Sequence, residues 1–405
     1  MPNTNPTSDI NPHDIYDYLK DDIDVFCNNV PSLVNDIITQ YNIDINSEYN
    51  PLCDPIVIQS YIANHIKELL SDLHHKLLEY FNIINIYDDE TLKMSMVHYC
   101  MSNINHLIFR DIASSIKVIS NTHIVRKLAE IPLPPQRSAE WFEMRTHMLT
   151  ASSLADAMGK GHFNTRNQTL LDKCFGIRES TSFGNSIMQH GVKYEEVATA
   201  LYERKYGVKI REFGLLPHPT LKCFGASPDG IVDCLESGTT SKEHVGRMLE
   251  IKCPPKREIT DETPWHYWTQ VQGQLEVTGL DEADFLQVKI VEYNSTDAFS
   301  DDNLVVNGII VPGKDAEGAD KGCVISYRDT DNPDSPVKYL YSDYGLRNDV
   351  LINWRDAEMD KIIALNKDIV EFKFWHVTVW SCVLIKRDQE WFKNTATPEI
   401  LRFWN

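Results

Sequence analysis

Two carboxylates and one ammonium group in this chain have the types and spacing needed for phosphodiester chemistry. Asp229 lies in the turn sequence Ser-Pro-Asp-Gly, and Glu250 and Lys252 lie two residues apart in an apolar run. Side chains at positions i and i+2 of a strand point to the same face, so Glu250 and Lys252 project side by side. A hairpin can fold Asp229 against them. The carboxylates suit a divalent cation, and the lysine suits orienting a water or stabilising developing negative charge.

The same residues also allow a purely structural interpretation instead of a metal site. Glu250 and Lys252 can form an ion pair on a half-exposed strand. However, their neighbours in the run are apolar, and burying two charges is costly unless they are paired or bound to metal. The pair alone supports the two readings about equally. Glu195 adds a third carboxylate that could hold metal-bound water, although a solvated helix face is the alternative for both Glu195 and Glu196.

The elements that must position these residues read as an α/β arrangement. An amphipathic helix is predicted over residues 187–206, ending at Gly207. A second helix ends at Gly279. Strands are predicted over the following ranges: 208–216, 222–226, 230–235, 247–253 and 284–293. Helix, several strands, helix and strand predict a mixed central sheet flanked by helices.

The remainder of the chain divides into three further parts. Residues 1–130 have a helical pattern, with an apolar stripe over residues 58–81, and predict an all-helical N-terminal domain. The sequence Ile-Pro-Leu-Pro-Pro at 131–135 predicts a linker before the core at 131–293. Residues 294–345 are rich in Asp, Asn, Gly and Ser and predict a loop-rich insertion. Residues 346–405 predict a helix over 346–372, a strand over 376–388 and a closing helix, which complete the core.

Charge and cysteine content bound the class of protein. The net charge of the 405 residues is −20, which weakly opposes nucleic-acid binding. The first 130 residues hold 18 acidic and 8 basic residues, whereas residues 131–250 hold 14 of each. Bound Mg²⁺ would offset acids in the core. Nine cysteines without a CxxC pair, no apolar run of membrane length and no signal pattern at the start predict an intracellular, reducing compartment and no membrane.

Six motifs in order resemble one family, the lambda-type exonucleases or YqaJ-like viral recombinases, within the PD-(D/E)xK nucleases. The resemblance covers about 137 to 293 and the tail from Arg387-Asp388 to Trp391-Phe392. The motifs are Trp141-x-x-x-Arg145, Thr150-Ala-Ser152, Gly191-x-x-x-Glu195-x-x-Ala198, Ser227-Pro-Asp229-Gly230, Glu250-Ile-Lys252-Cys-Pro254 and Tyr267-x-x-Gln270-Val-Gln272.

The resemblance implies a role for each matched position. Asp229 and Glu250 would bind Mg²⁺ or Mn²⁺, with the backbone carbonyl of Ile251 as a further ligand. Lys252 would activate the attacking water, Glu195 would reach the metal through water, and Gln270 would brace the site. A pocket for the 5′-phosphate of the DNA end would be formed by Arg145, Ser152 and Ser227. A guanidinium with two hydroxyls suits a phosphate dianion, while a surface salt bridge is the structural alternative for Arg145 and an ordinary helix position for Ser152.

The expected fold is therefore a PD-(D/E)xK restriction-endonuclease-like core, and the expected activity is 5′-to-3′ degradation of double-stranded DNA ends. Recombination, repair or replication is the expected process, in host cytoplasm or nucleus if the chain is viral. The resemblance also implies a single-strand annealing partner and a trimer. Three alternatives stay open: an endonuclease, an RNA-degrading nuclease, and a non-catalytic scaffold that binds DNA ends. Retention of the whole acidic set argues against the scaffold.

Overall fold

The computed structural model describes residues 71–79, 120–175, 186–233, 241–329 and 335–405, together with a few single positions before residue 119. The chain divides into two compact units. One comprises Met1–Pro132, Asp233–Ser237 and Ser241–Gly246, and within it residues 71–79 and 120–129 are helical. Leu73 and Leu77 of the predicted apolar stripe are buried there. The rest of the predicted N-terminal helices lies outside the described residues.

The other unit contains all the predicted site residues and is built on a mixed seven-stranded sheet. The strands are β2 (Ile210–Arg211), β5 (Gly230–Val232), β6 (Met248–Lys252), β7 (Glu282–Glu292), β10 (Lys321–Asp329), β11 (Lys338–Tyr341) and β12 (Lys367–Lys386). They lie in the order β11-β10-β12-β7-β6-β5-β2. Only the β6–β7 pairing is parallel. The predicted fold class, a mixed sheet flanked by helices, is confirmed.

Side chains of β6 point alternately to the two faces of the sheet, and one helix covers each face. Helix α4 (Ser186–Tyr206) packs its apolar residues, including Tyr194 and Leu201, against Leu249 and Ile251. Helix α5 (Trp265–Thr278) forms the crossover between the parallel strands β6 and β7, and it lies over the face that carries Glu250. It ends at Gly279, whose φ of 74° is the left-handed conformation that terminates helices.

A second, small sheet packs against α5 near Gly273. Its strands are β1 (Leu149–Thr150), β3 (Leu216–Pro217) and β4 (Phe224–Ala226), in the order β1-β4-β3 with β1 and β4 parallel. Gly273 allows α5 to approach closely, since a Cβ there would meet Ala151 and Phe224 at 3.0 Å. Short helices surround this sheet, namely α1 (Ala139–Thr146), α2 (Leu154–Ala157) and α3 (Arg166–Phe175). Thr150 makes no side-chain cap, contrary to the usual role of threonine before a helix; Ala151–Ser153 form a 3₁₀ turn instead.

Residues 294–345 contain more regular structure than a loop-rich insertion. They include α6 (Thr296–Asp301), the exposed hairpin of β8 (Val305–Val306) and β9 (Ile309–Ile310), and the sheet strands β10 and β11. Loop-type residues dominate the composition, but the run Cys-Val-Ile-Ser in β10 is fully buried and pairs with β12. Non-local pairing of this kind outweighs local composition.

The C-terminal part has the predicted order of helix, strand and helix with one boundary wrong. Helix α7 (Asn348–Ala364) ends eight residues before the predicted end, and residues 367–372 belong to β12. The alternation Asp-Ile-Val-Glu-Phe-Lys-Phe there fits a strand pairing with β10. The chain closes with α8 (Gln389–Trp391), a π-helical turn Phe392–Ala396 and α9 (Thr397–Trp404). No helix among the described residues has the length and apolar character of a membrane span.

Candidate active site and anion pocket

The antiparallel pairing of β5 and β6 brings Asp229 to Glu250. Gly230 pairs with Leu249, so the residue before Gly230 lies opposite the residue after Leu249. Asp229 Oδ2 accepts a hydrogen bond from Ile251 N at 2.7 Å, which fixes the carboxylate against β6. In an antiparallel pair the N–H and C=O of one residue face the same neighbour. The backbone carbonyl of Ile251 is therefore on the Asp229 side of β6.

Glu250 is held from three directions inside the protein, and its exposed fraction is 0%. Lys252 donates to Glu250 Oε1 from two residues along the same face of β6. Gln270 Nε2 donates to the same oxygen at 2.7 Å, and Gln274 Nε2 donates to Oε2 at 2.7 Å. Positions 270 and 274 lie one turn apart on one face of α5, so the helix presents two amides to one carboxylate. The strand and the crossover helix together fix the position of Glu250.

Glu195 lies at the same centre but is engaged by a different partner. Its Oε2 forms a 2.7 Å ion pair with the Arg137 guanidinium, which is half exposed. Burial raises the pKa of Glu195 in spite of Arg137. Glu195 also acts electrostatically on Asp229. The structure therefore brings all five predicted catalytic residues, Glu195, Asp229, Glu250, Lys252 and Gln270, to one place.

The charges of this centre are not balanced without a cation. Burial, followed by the charges of Glu250 and Glu195, raises the pKa of Asp229 well above its ordinary value. Burial opposes the charge of Lys252, but Glu250 and Asp229 outweigh it and raise the Lys252 pKa. Three carboxylates thus face one ammonium and, on Glu195, the Arg137 guanidinium, which leaves an excess of negative charge. An all-oxygen donor set with excess negative charge fits Mg²⁺ or Mn²⁺.

The two predicted phosphate-binding serines are brought together by the small sheet. Parallel pairing aligns Leu149 with Phe224 and Thr150 with Gly225. Ser152 lies two residues after Thr150, and Ser227 lies two residues after Gly225. Both serines therefore lie just beyond the same end of the paired strands. Ser152 is exposed, and its hydroxyl lies 3.1 Å from that of Thr150.

Arg145 lies between these serines and a tryptophan. Its guanidinium donates to Ser152 Oγ at 3.4 Å and is stacked over the Trp141 ring, 4.4 Å from the centroid. Trp141 Nε1 in turn donates to Ser227 Oγ at 3.1 Å, which leaves the Ser227 hydroxyl hydrogen available to an acceptor. Arg145, Ser152 and Ser227 are therefore connected through Trp141. We call these four residues the anion pocket.

A second cation, Lys173 on α3, borders the anion pocket and was not predicted from the sequence. Its Nζ donates to the backbone carbonyl of Arg145. Burial lowers the pKa of Arg145 to about 10, and burial with the charge of Arg145 lowers the pKa of Lys173 to about 8. Among the described residues, no carboxylate lies within ion-pair distance of either cation. The charge of Asp172 offsets that of Lys173 only in part, since the Lys173 pKa stays lowered, and two partly buried cations favour binding of an anion.

Gln274 links the anion pocket to the carboxylate centre and was also missed. Besides Glu250, its Nε2 contacts the backbone carbonyl of Ser227 at 3.3 Å, and its exposed fraction is 1%. Ser227 and Asp229 are in the same turn, so Gln274 ties that turn to β6. Its spacing of four residues from Gln270 was the available signal. Arg137 and Lys173 carried no comparable signal, because each reaches the site from a separate element.

Within the described part of the chain, one group of three side chains has ligand atoms close enough together to hold a metal ion, and it lies outside the carboxylate centre. Ligand atoms of Asp302, Asp315 and His376 lie within 4.8 Å of one another, whereas Glu195, Asp229 and Glu250 do not form such a set of three. Asp302 accepts from Tyr293 at 2.7 Å, and Asp315 contacts His376 at 2.8 Å. These hydrogen bonds explain why the three side chains lie together, since they anchor the loop before β10.

Comparison with known proteins identifies the part of the chain that holds both sites. Residues 140–281 match the YqaJ-like viral recombinase domain. An uncharacterized protein of Acanthamoeba polyphaga mimivirus is 32% identical over 318 residues, which are 71% of this chain and 56% of that protein. The chain thus spans a little over half the length of this relative.

Two crystal structures of the alkaline exonuclease LHK-Exo from Laribacter hongkongensis also resemble the chain, one of them in complex with dAMP. Their sequence identities are 22% and 23%, and their TM-scores are 0.37 and 0.36. Each comparison covers 66% of this chain and 91% of the exonuclease. The predicted catalytic and phosphate-binding residues all lie within 140–281, the range that matches the YqaJ-like viral recombinase domain.

Proposed function

We propose that the chain is a divalent-metal-dependent nuclease that degrades double-stranded DNA from 5′ ends, in recombination, repair or replication. The observation that carries the proposal is the convergence of Asp229, Glu250 and Lys252 at paired strand ends, with Glu195 beside them. Three carboxylates that outnumber their two cations, with Glu250 fully buried, are costly in a structural role alone. Their arrangement suits a cation that is bound to substrate phosphate.

In this proposal Asp229, Glu250 and the Ile251 carbonyl hold the metal, and Glu195 acts through water. Bound Mg²⁺ or Mn²⁺ would polarise the scissile phosphate and lower the pKa of a coordinated water. Gln270 and Gln274 keep Glu250 oriented by donating to both of its oxygens. Glu250 and Asp229 raise the pKa of Lys252 in spite of its burial, and its ammonium would orient the water and stabilise the developing negative charge.

The anion pocket supports action at DNA ends. Arg145, with two hydroxyls and Lys173 nearby, offers a terminal phosphate dianion a guanidinium, hydroxyl donors and a second positive charge. An internal phosphodiester carries one charge fewer and less completely matches two cations. The pocket therefore favours a terminal phosphate over the interior of a strand, and the resemblance of its residues to the family's 5′-phosphate pocket is the reason for the proposed polarity.

The test uses duplex DNA of one sequence in linear and covalently closed circular forms, with Mg²⁺ or with EDTA. Linear duplex labelled at the 5′ or the 3′ end reports polarity. We expect Mg²⁺-dependent release of nucleotides from the 5′ end of the linear form and no cleavage of the circle. Cleavage of the circle would identify an endonuclease, and preferential RNA cleavage a ribonuclease. Binding of ends without cleavage in Mg²⁺ or Mn²⁺ would replace the proposal with a scaffold role.

A further inference from the structure

An exposed group of aromatic side chains lies beside the carboxylate centre and has no part in the chemistry described above. Phe163 is 65% exposed, which is unusual for a large ring with fixed neighbours. His162 and His266 stack with their rings 5.1 Å apart, and Phe163 meets His266 edge-on at 5.5 Å. We call His162, Phe163 and His266 the aromatic platform.

The aromatic platform is continuous with the catalytic lysine through one tyrosine. Tyr267 contacts His266 at 4.1 Å and Phe163 at 6.2 Å between ring centroids. On its other side, the Tyr267 ring lies 5.0 Å from Lys252 Nζ. Tyr267 follows His266 at the start of α5, three residues before Gln270, so one helix positions both the brace on Glu250 and part of the platform.

The loop that carries Phe163 is held in place by a buried carboxylate. Asp156 is 5% exposed and accepts backbone hydrogen bonds from Phe163 and Asn164. Gly161 lets the loop approach, because a Cβ there would lie 1.6 Å from Asp156 Oδ1. A ring fixed in the exposed position loses little entropy when a ligand stacks on it.

Two cations lie against the rings that adjoin the aromatic platform. Lys160 Nζ lies 5.5 Å from the Trp265 centroid, and the Arg257 guanidinium lies 5.7 Å from the Tyr267 centroid. Arg166, at the start of α3, is paired with Glu399 at 3.0 Å and does not belong to this group. Burial, followed by the charges of His162, Arg257 and Lys252, lowers the pKa of His266, which favours the neutral ring. Exposed rings among cations have the chemistry that binds unpaired bases and their backbone.

We propose that the aromatic platform stacks an unpaired base of a single-stranded DNA segment next to the carboxylate centre. The location of this segment in a substrate rests on the proposed nuclease function, but base stacking itself does not require hydrolysis. A duplex keeps its bases stacked on one another, so the platform selects strand that has already separated. It would thereby hold the frayed end in line with Lys252 and Glu250.

The test measures binding without metal, in EDTA, so that no strand is cleaved. Fluorescein-labelled oligodeoxyadenylate and an abasic oligonucleotide of the same length are titrated with full-length protein by fluorescence anisotropy. We expect Phe163→Ala to weaken oligodeoxyadenylate binding about 10-fold, with abasic binding unchanged. Phe163→Trp should retain the affinity. Phe175→Ala removes a ring outside the platform that is 79% exposed, and it should have no effect.

Two outcomes would overturn the proposal. One is oligodeoxyadenylate binding by Phe163→Ala equal to that of the wild-type protein. The other is an equal loss of affinity for both oligonucleotides, which would assign Phe163 to the backbone or to loop structure. If the wild-type protein fails to hydrolyse DNA while base-dependent binding is lost in Phe163→Ala, the nuclease proposal fails and the stacking proposal stands. Unchanged melting temperatures of the variants confirm that the exposed substitutions leave the fold intact.

Discussion

The carboxylate centre and the anion pocket are neighbours with opposite electrostatic designs. In the centre, three carboxylates, of which Glu250 is fully buried, outnumber the cations Lys252 and Arg137, and hydrogen bonds hold both oxygens of Glu250. In the pocket, Arg145 and Lys173 have no described carboxylate within ion-pair distance, and their pKa values are lowered. The centre therefore suits a cation and the pocket an anion. Gln274 connects the two through Glu250 and the Ser227 carbonyl.

Removing a charge from the centre should have the largest effect on the reaction itself. Asp229→Asn keeps an oxygen that can accept from Ile251 N but removes the carboxylate that we propose binds the metal. We expect kcat for Mg²⁺-dependent nucleotide release to fall by at least about 10³-fold, because charge stabilisation in the transition state is lost. Glu196→Gln is the matched control, since Glu196 is exposed and next to Glu195. Comparable activity of Asp229→Asn and the control would remove Asp229 from the site.

The link between the two regions can be broken at Gln274. Gln274→Leu removes the hydrogen bonds to Glu250 and Ser227, and we expect kcat to fall about 10- to 100-fold, as for other hydrogen bonds to charged groups. Gln272→Leu is the control, because Gln272 is equally buried on α5 but bonds to Lys386 and Asp388. A fall of the same size in both variants would show a general effect of burying leucine in this helix.

The strand that carries Glu250 and Lys252 could be predicted because its chemistry is local. The two-residue spacing in an apolar run fixes a shared face, and a hairpin brings the Ser-Pro-Asp-Gly turn alongside, as the β5–β6 pairing confirms. Lys173 and Arg137 could not be predicted, since their places depend on how α3 and the linker fold back. The parallel pairing that aligns Ser152 with Ser227 joins strands about 75 positions apart and leaves no local pattern.

Removing a charge from the anion pocket should change selectivity for ends more than the chemical step. Arg145→Gln keeps a side chain that can donate hydrogen bonds but removes the positive charge. We expect the kcat/KM ratio between 5′-phosphorylated and 5′-hydroxyl duplex to fall about 10-fold or more, since a charge-assisted hydrogen bond is lost. Arg402→Gln, on the exposed face of the last helix, is the control. An unchanged ratio in Arg145→Gln would place phosphate recognition elsewhere.

The smallest expected effect is a pH dependence of the kcat/KM ratio between 5′-phosphorylated and 5′-hydroxyl duplex. Because the Lys173 pKa is lowered to about 8, the free protein loses this charge as pH rises through 8, while Arg145 stays charged until about 10. A terminal phosphate is a dianion throughout this range. The ratio of kcat/KM values should therefore fall a few-fold between about pH 7 and 9. Lys173→Arg should flatten this decline, and an identical decline in the variant would exclude Lys173 as its source.

A divalent cation bound by Asp229 and Glu250 is the central feature of the proposed site. Electron paramagnetic resonance of Mn²⁺ titrated into the protein counts bound metal without requiring DNA or catalysis. The wild-type protein should bind Mn²⁺ at a site that is lost in Asp229→Asn, while Glu196→Gln and Arg145→Gln retain it. Equal Mn²⁺ binding by the wild-type protein and Asp229→Asn would contradict the metal centre.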